Sequence, residues 1–193
     1  MFNEIFFKNF NPEFFVFIPE YSIVGLIFFI LLLDLFFSKK IEKKLFYMII
    51  IFIILSVFCF CIFFLFKLTA ISTNLSGFRV MERGIFIITK VIIKQKIFFF
   101  LFSFLSLFFI KNYLYHFSLL NIEFLVLFLF SILGSLIIVS SGDFLLLYIG
   151  IELMSLPLYT MISLNNFYKI SYEASLKYFI MGSIASAVLL FGV

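Results

Sequence analysis

The residue best suited to chemistry in this 193-residue chain is Glu152, which lies inside an apolar stretch long enough to cross a membrane. Helical spacing places Tyr148, Ser155 and Tyr159 on the same side as Glu152, so one face of the stretch is polar. A carboxyl group in the hydrocarbon interior costs about 2.5–3.5 kcal/mol on insertion scales and favours a functional role. We expect the polar face to meet protein or water and Glu152 to handle protons. The alternative is a permanently protonated Glu152 that only makes an inter-helix hydrogen bond.

Lys177 is the second candidate, about one turn into the next apolar stretch. The short connection between the two stretches predicts that they pack as neighbours, so Lys177 could face Glu152, although the two lie at different depths. Burial disfavours the charged form of a carboxyl and a nearby ammonium favours it, so a movable lysine would make Glu152 release or take up a proton. The alternative is a lysine at a helix end, paired with Glu173 four residues earlier, with its ammonium at the membrane surface.

The remaining polar residues suggest structural roles. Asp143 is predicted to cap the N-terminus of the fifth helix. Asp34 is expected to be an interfacial or partner-facing carboxylate, and Glu123 a charge near a helix start. Gly182 and Ser186 have the spacing that lets helices approach closely.

The sequence offers no ligand set for a metal or a redox cofactor. Cys59 and Cys61 point about 200° apart on a helix and cannot easily share an ion. His116 is the single histidine and has no acidic or thiol cluster beside it in the sequence, so we expect neither a metal site nor a catalytic dyad.

Composition excludes a soluble domain and a disordered chain, because 65% of the residues are hydrophobic and 12% are charged. The chain is predicted to be an all-α polytopic membrane protein. Its 35 Phe residues and lack of Trp fit the codons of an A/T-rich genome, plausibly an organellar one. The net charge of +4 predicts basic side chains in loops and at helix ends, and no nucleic-acid site is expected.

Six apolar stretches predict about six transmembrane helices, at roughly 18–37, 45–66, 97–115, 122–140, 143–164 and 173–193. The short link from Ser140 to Asp143 predicts an antiparallel hairpin of the fourth and fifth helices. Residues 1–121 are interpreted as three helices with a basic connecting segment, and residues 122–193 as a compact unit of three helices. The N-terminus lacks the pattern of a cleaved signal peptide, so we expect the first helix to be retained.

Charge alone gives a contradictory orientation. A lysine cluster after the first helix favours the cytoplasmic or matrix side, yet the segment 67–96, which should lie on the opposite side, is also basic. Within that segment the run GIFIITKVII is predicted to lie along the membrane interface as an amphipathic element. The cluster comprises Lys39, Lys40, Lys43 and Lys44, and the basic segment contains Lys67, Arg79, Arg83, Lys90, Lys94 and Lys96.

The run SGDFLLLYIGIELMSLPLYTMISL, followed by SYEASLKYFIMGSIASAVLLFG, resembles subunit 2 of NADH:ubiquinone oxidoreductase, respiratory complex I, the bacterial N subunit. The match is specific over about residues 122–193, moderate over 19–37 and weak over 38–121. The matching residues are Asp143, Glu152, Ser155, Leu156, Pro157, Leu158, Tyr159, Glu173, Ala174, Leu176, Lys177, Tyr178, Phe179, Gly182 and Ser186.

The resemblance implies an all-helical, antiporter-like subunit of about fourteen helices with two inverted five-helix repeats, of which this chain is the N-terminal portion. By this resemblance, Glu152 corresponds to the family's helix-5 glutamate, which is thought to control proton entry. Lys177 corresponds to the lysine of the family's helix-6 motif. The implied function is proton translocation in the membrane arm, coupled to NADH oxidation by ubiquinone. FMN, iron–sulfur clusters and quinone are expected in other subunits. The chain is expected to lie in a mitochondrial inner membrane and to be encoded by the organelle.

The implied partners are lipids and other membrane-arm subunits of complex I. Because the sequence stops after the sixth helix at Val193, we also expect a split subunit whose helix 7 onward belongs to a second polypeptide. Two other functions stay open at this point. One is a scaffolding half-subunit without its own proton path, and the other is a component of a cation/proton antiporter outside the respiratory chain.

Overall fold

The structure, a computed structural model, describes residues 16–37, 43–71, 79–81, 85–116, 121–164 and 169–192. Six helices in these ranges are long and apolar enough to cross a membrane, which confirms the six predicted spans. The chain is therefore a multi-pass membrane protein. The helices are α1 (Ile18–Phe37), α2 (Lys43–Ile71), α3 (Lys90–His116), α4 (Ile122–Ser140), α5 (Phe144–Ser163) and α6 (Lys169–Gly192).

The run GIFIITKVII does not form the single amphipathic element that was predicted, because a strand and the start of a helix divide it. Its β-branched and aromatic centre forms strand β2 (Phe86–Ile88), which pairs antiparallel with β1 (Arg79–Met81). Its end belongs to α3, which starts seven residues earlier than predicted, at Lys90. The cause is a local cap, because Thr89 Oγ1 accepts a hydrogen bond from the Ile92 N–H at 3.2 Å.

Helices α4 and α5 form the predicted antiparallel hairpin, joined by residues 141–143. Two glycines permit their close approach. A Cβ atom on Gly134 would lie 2.5 Å from the Met154 backbone nitrogen, and one on Gly150 would lie 2.8 Å from a side-chain carbon of Ile138. Both distances are shorter than any Cβ contact can be, so the two backbones meet only because neither residue has a side chain.

The buried apolar core lies among α1, α2, α3 and α4. Phe58 of α2 and Phe100 of α3 meet edge to face in it, with ring centroids 5.6 Å apart. In α5 the buried residues are Gly150 and Pro157, and α6 has none among the residues that the structure describes. Helices α5 and α6 therefore form the outer part of the described chain.

The expectation that basic side chains lie in loops and at helix ends is wrong for Lys96. This residue is two turns into α3 and fully buried, and its Nζ lies 2.5 Å from Glu20 Oε1 of α1. The burial is possible because a carboxylate compensates the charge. Three of the basic residues that made the charge-based orientation contradictory, Lys39, Lys40 and Arg83, lie outside the described residues. So do residues 1–15, where the sequence lacks a signal-peptide pattern.

Candidate functional site

Glu152 lies near the middle of α5 and is partly buried. The side of α5 that meets α4 carries Gly150 and Pro157, which are buried, and Leu153, which packs on the core. At about 100° per residue, Glu152 lies on the opposite side of the helix. The carboxyl group therefore faces away from α4, toward the part of the chain that has the fewest buried residues.

The predicted polar face exists, and Tyr148, Ser155 and Tyr159 are all partly buried on it. Tyr159 connects this face to α6, because its ring meets Phe179 edge to face at 6.4 Å and its hydroxyl lies over Gly182. Gly182 was expected to let two helix backbones approach, and in this chain it accommodates an aromatic side chain. Ser155 Oγ donates a long hydrogen bond of 3.4 Å to the backbone carbonyl of Glu152.

The Glu152 carboxylate has no hydrogen-bond donor and no lysine partner within the ranges that the structure describes. Pro157 lacks an N–H, so the carbonyl oxygen of Leu153, next to Glu152, does not receive the helical hydrogen bond that residue 157 would normally donate.

Lys177 does not reach Glu152 in this chain. Its Nζ lies 2.6 Å from Glu173 Oε1, one turn earlier on α6, and the two side chains are 72% and 66% exposed. Because Tyr159 is level with Gly182, Lys177 lies roughly 18 Å from Glu152 along the antiparallel helix axes. The geometry matches the alternative interpretation of Lys177, a lysine paired within its own helix.

The secondary carboxylates lie at helix ends. Asp143 takes the N-cap position of α5 with an extended backbone, and its carbonyl accepts a hydrogen bond from the Leu147 N–H at 3.0 Å. Its side chain makes no capping hydrogen bond, so its predicted contribution reduces to the charge at the helix N-terminus. Asp34 is partly buried near the end of α1, and Glu123 is exposed in the first turn of α4.

The two cysteines face opposite sides of α2, as their spacing predicts. Cys59 is exposed, whereas Cys61 is buried with its Sγ 3.1 Å from Ser22 Oγ of α1. The side chain of His116 is not among those described. Elsewhere in the described ranges, no group of three His, Cys, Asp or Glu residues is arranged to hold a metal ion.

Sequence reasoning gave no role to the pair formed by Glu20 and Lys96. The available signal was weak, because Glu20 follows Pro19 at the start of an apolar stretch and Lys96 follows Lys94 in a basic one. Both patterns are typical of exposed helix ends. Only the tertiary structure shows that these two charges meet inside the bundle.

The part of the chain that carries Glu152 and Lys177 matches a known protein family. Residues 141–193 match the sequence model of the family described as "NADH:quinone oxidoreductase/Mrp antiporter, TM". NADH-quinone oxidoreductase subunit N of Ruthia magnifica is 30% identical over 91% of this chain and 34% of its own length. The subunit N of Thioalkalivibrio sulfidiphilus is 34% identical over 94% of this chain and 36% of its own length.

A shorter alignment has a higher identity. Subunit N of Bdellovibrio bacteriovorus is 52% identical over 71 residues, which are 37% of this chain and 15% of that protein. The chain spans about a third of the length of the curated relatives that it matches over most of its own length. These relatives are bacterial and do not support a mitochondrial location. The six spans and these matches together show that the chain is similar over most of its length to NADH-quinone oxidoreductase N subunits, with the match to the antiporter-like family model at residues 141–193.

Proposed function

We propose that this chain is part of the membrane arm of a respiratory NADH:ubiquinone oxidoreductase and takes part in proton translocation there, with Glu152 as the proton-handling group. FMN, iron–sulfur clusters and quinone would belong to other subunits. The proposal of a mitochondrial inner membrane rests on composition alone, because the relatives named above are bacterial.

The observation that carries the proposal is the position of Glu152. It is an ionisable residue near the middle of an apolar helix, on a face with two tyrosines and a serine, and no donor of the described chain holds its carboxylate. A carboxyl group that served only as a structural hydrogen-bond donor would be expected to have an acceptor in the neighbouring helix α4. Glu152 instead points away from α4.

The mechanism follows from the surroundings of this carboxyl. A cation that approaches a carboxyl group promotes the release of its proton, and one that withdraws lets the proton return, so the movement of a lysine would drive proton exchange at Glu152. By resemblance to the family, a lysine on the helix that follows α6 would be one such cation, and Lys177 is the other candidate. Tyr148, Ser155 and Tyr159 would hold the water that carries the proton along the polar face.

The partners would cover the outer side of α5 and α6. This side carries Glu152, Tyr148 and Ser155, and few residues of α5 and α6 are buried. We propose that other segments of the membrane arm pack here, including the helix 7 that the family resemblance implies. Lipid alone would be a poor neighbour for Glu152, because an unpaired carboxyl is costly in hydrocarbon.

The test is Glu152→Gln in the assembled complex in native membrane vesicles. We expect the quenching of a pH-sensitive dye on NADH addition to fall strongly, while the amount of assembled complex stays close to that of the wild type. The reason is that glutamine keeps the size and polarity of the side chain and removes its exchangeable charge. Glu123→Gln is the matched control, because Glu123 is an exposed carboxylate at a helix start. The complex with this variant should pump normally.

Full NADH-driven pumping in Glu152→Gln would contradict the role of Glu152. A scaffolding role is the second candidate, and the pairing of Lys177 with Glu173 instead of Glu152 is the observation that favours it. In an experimental map of the assembled complex, ordered water around Glu152 supports proton transfer, whereas a dry carboxyl with a fixed hydrogen bond supports scaffolding. Co-migration with NADH-oxidising activity on a native gel would exclude an independent cation/proton antiporter.

A further inference from the structure

The pair formed by Glu20 and Lys96 has no part in the proton chemistry proposed above. Lys96 has no exposed surface, and its Nζ lies 2.5 Å from Glu20 Oε1, 3.3 Å from the Val16 carbonyl oxygen and 5.0 Å from the centre of the Phe17 ring. Both carboxylate oxygens of Glu20 are buried, and no group of the described chain makes a well-aligned hydrogen bond to them. Lys96 is therefore the compensating charge of Glu20 among the described residues.

Such a pair is a poor way to gain stability. The desolvation of two charges offsets much of their attraction, and an apolar pair of similar volume is often as stable or more stable. A buried polar contact can instead favour one arrangement of its helices over others, which is the role that a buried asparagine has in coiled coils. The relevant question is then which arrangement this pair selects.

A continuous series of contacts leads from the pair to the start of α5. The Phe17 ring, which lies beside Lys96, meets the Phe86 ring of β2 edge to face at 4.9 Å. Phe86 in turn forms an antiparallel bridge with Ser141, and the Gly142 N–H donates a 2.7 Å hydrogen bond to the Ile85 carbonyl oxygen. Ser141 and Gly142 belong to the three-residue connector that leads into α5.

We propose that Glu20 and Lys96 are positioning residues that hold the β-hairpin against the α4–α5 connector and so determine where α5 begins. Lys96 fixes the first turn of α1, the first turn places Phe17, and Phe17 supports the hairpin strand that bridges the connector. The consequence for Glu152, which α5 carries, rests on the proposed function. The positioning itself does not depend on that function.

The test measures the distance from the hairpin to α5 directly. Spin labels at Ile85→Cys and Phe144→Cys, two exposed positions, report this distance in the full-length chain in lipid nanodiscs, with Cys59 and Cys61 replaced by alanine. We expect Lys96→Met to replace a single narrow distance peak by a broad distribution. Lys94→Met removes an exposed charge from the same helix, and we expect it to keep the narrow peak.

The double variant Glu20→Gln/Lys96→Met separates positioning from stability, and it decides the question even if Lys96→Met alone fails to fold. The double variant has no buried carboxylate without a counter-charge, so its amount in the cell should be several-fold higher than that of Lys96→Met. Its distance distribution should stay broad, because no specific contact then fixes α1 to α3. A narrow, wild-type peak in the double variant would overturn the proposal, as would equal broadening in Lys94→Met.

The assembled complex provides the second readout. The double variant is expected to pump fewer protons per NADH oxidised, at an unchanged rate of NADH oxidation with an artificial electron acceptor. If the double variant has a broad distance distribution and Glu152→Gln pumps fully, the proposed function is refuted and the positioning role stands. If the double variant has a narrow distribution and Glu152→Gln has lost pumping, the positioning role is refuted and the proposed function stands.

Discussion

Two glutamate–lysine pairs in this chain have almost the same separation between their charged atoms and opposite surroundings. Glu20 and Lys96 approach to 2.5 Å with side chains 12% and 0% exposed, whereas Glu173 and Lys177 approach to 2.6 Å with side chains 66% and 72% exposed. Water screens the second pair and is excluded from the first, so the same separation has different energetic consequences. The comparison shows that exposure, and not distance, separates a fixed charge from one that is free to change partners.

The two pairs lie in parts of the chain that differ in the same way. Nearly all of the buried core side chains come from α1 to α4, while α5 and α6 contribute almost none of the buried residues. A packed bundle has few alternative arrangements, and a helix with few buried contacts has many. We infer that α1 to α4 are the framework and that α5 and α6 carry the groups that respond to partners.

The largest effect expected from this comparison is on stability. Lys96→Met leaves the Glu20 carboxylate buried without a counter-charge, and breaking such a pair costs about 3–5 kcal/mol. Lys177→Met removes an exposed charge within one helix, and we expect no resolvable change. The measurement is the free energy of unfolding of each variant in lipid bicelles, relative to the wild type.

Lys94→Met is the control for this measurement, because it removes a lysine from α3 without touching a buried carboxylate. If Lys96→Met and Lys177→Met were equally stable, the Glu20–Lys96 pair would contribute nothing and the contrast between the two regions would disappear.

The spans and the helical hairpin could be predicted because they depend on local properties of the sequence. A run of about 20 apolar residues has few alternatives to a membrane helix, since its backbone must satisfy its own hydrogen bonds. The link between Ser140 and Asp143 is too short for any arrangement of α4 and α5 except an antiparallel one. The polar face around Glu152 follows from helical periodicity alone.

The partners of charged groups could not be predicted, because they depend on contacts between distant segments. Glu20 and Lys96 are 76 residues apart, and neither has a sequence neighbour that indicates burial. Lys177 had two possible partners, and the sequence could not decide between Glu173 at a favourable helical spacing and Glu152 on the neighbouring helix. The predicted start of α3 was too late, because a hydropathy window excludes the lysines of its first two turns. The helix itself includes them, since it begins at the local cap that Thr89 provides.

The next largest effect concerns the contact between the framework and α5. A Cβ atom on Gly134 would lie 2.5 Å from the Met154 backbone nitrogen and 2.9 Å from the Gly150 carbonyl oxygen. Gly134→Ala must therefore push α5 away from α4, and overpacking of this kind costs about 1–3 kcal/mol. We expect a lower midpoint of thermal unfolding and less assembled complex.

Gly25→Ala is the matched control, because a Cβ on this α1 glycine would have no heavy atom within 4 Å. It should leave both quantities unchanged or raise the midpoint slightly, since alanine favours the helix. Equal stability of Gly134→Ala and Gly25→Ala would mean that α4 and α5 are not in the close contact that the structure shows.

The smallest effect on stability is expected at Lys177, and here the comparison concerns function. If this lysine tunes Glu152 despite a separation of roughly 18 Å along the helix axes, Lys177→Met should lower the protons pumped per NADH, though less than Glu152→Gln, because attraction between charges weakens with distance. Lys177→Arg keeps the charge and should pump normally. Glu173→Gln frees Lys177 from its present partner without removing it, so it should leave pumping intact or raise it. Normal pumping in Lys177→Met would instead restrict Lys177 to its pairing with Glu173 and leave the control of Glu152 to a cation outside the described residues.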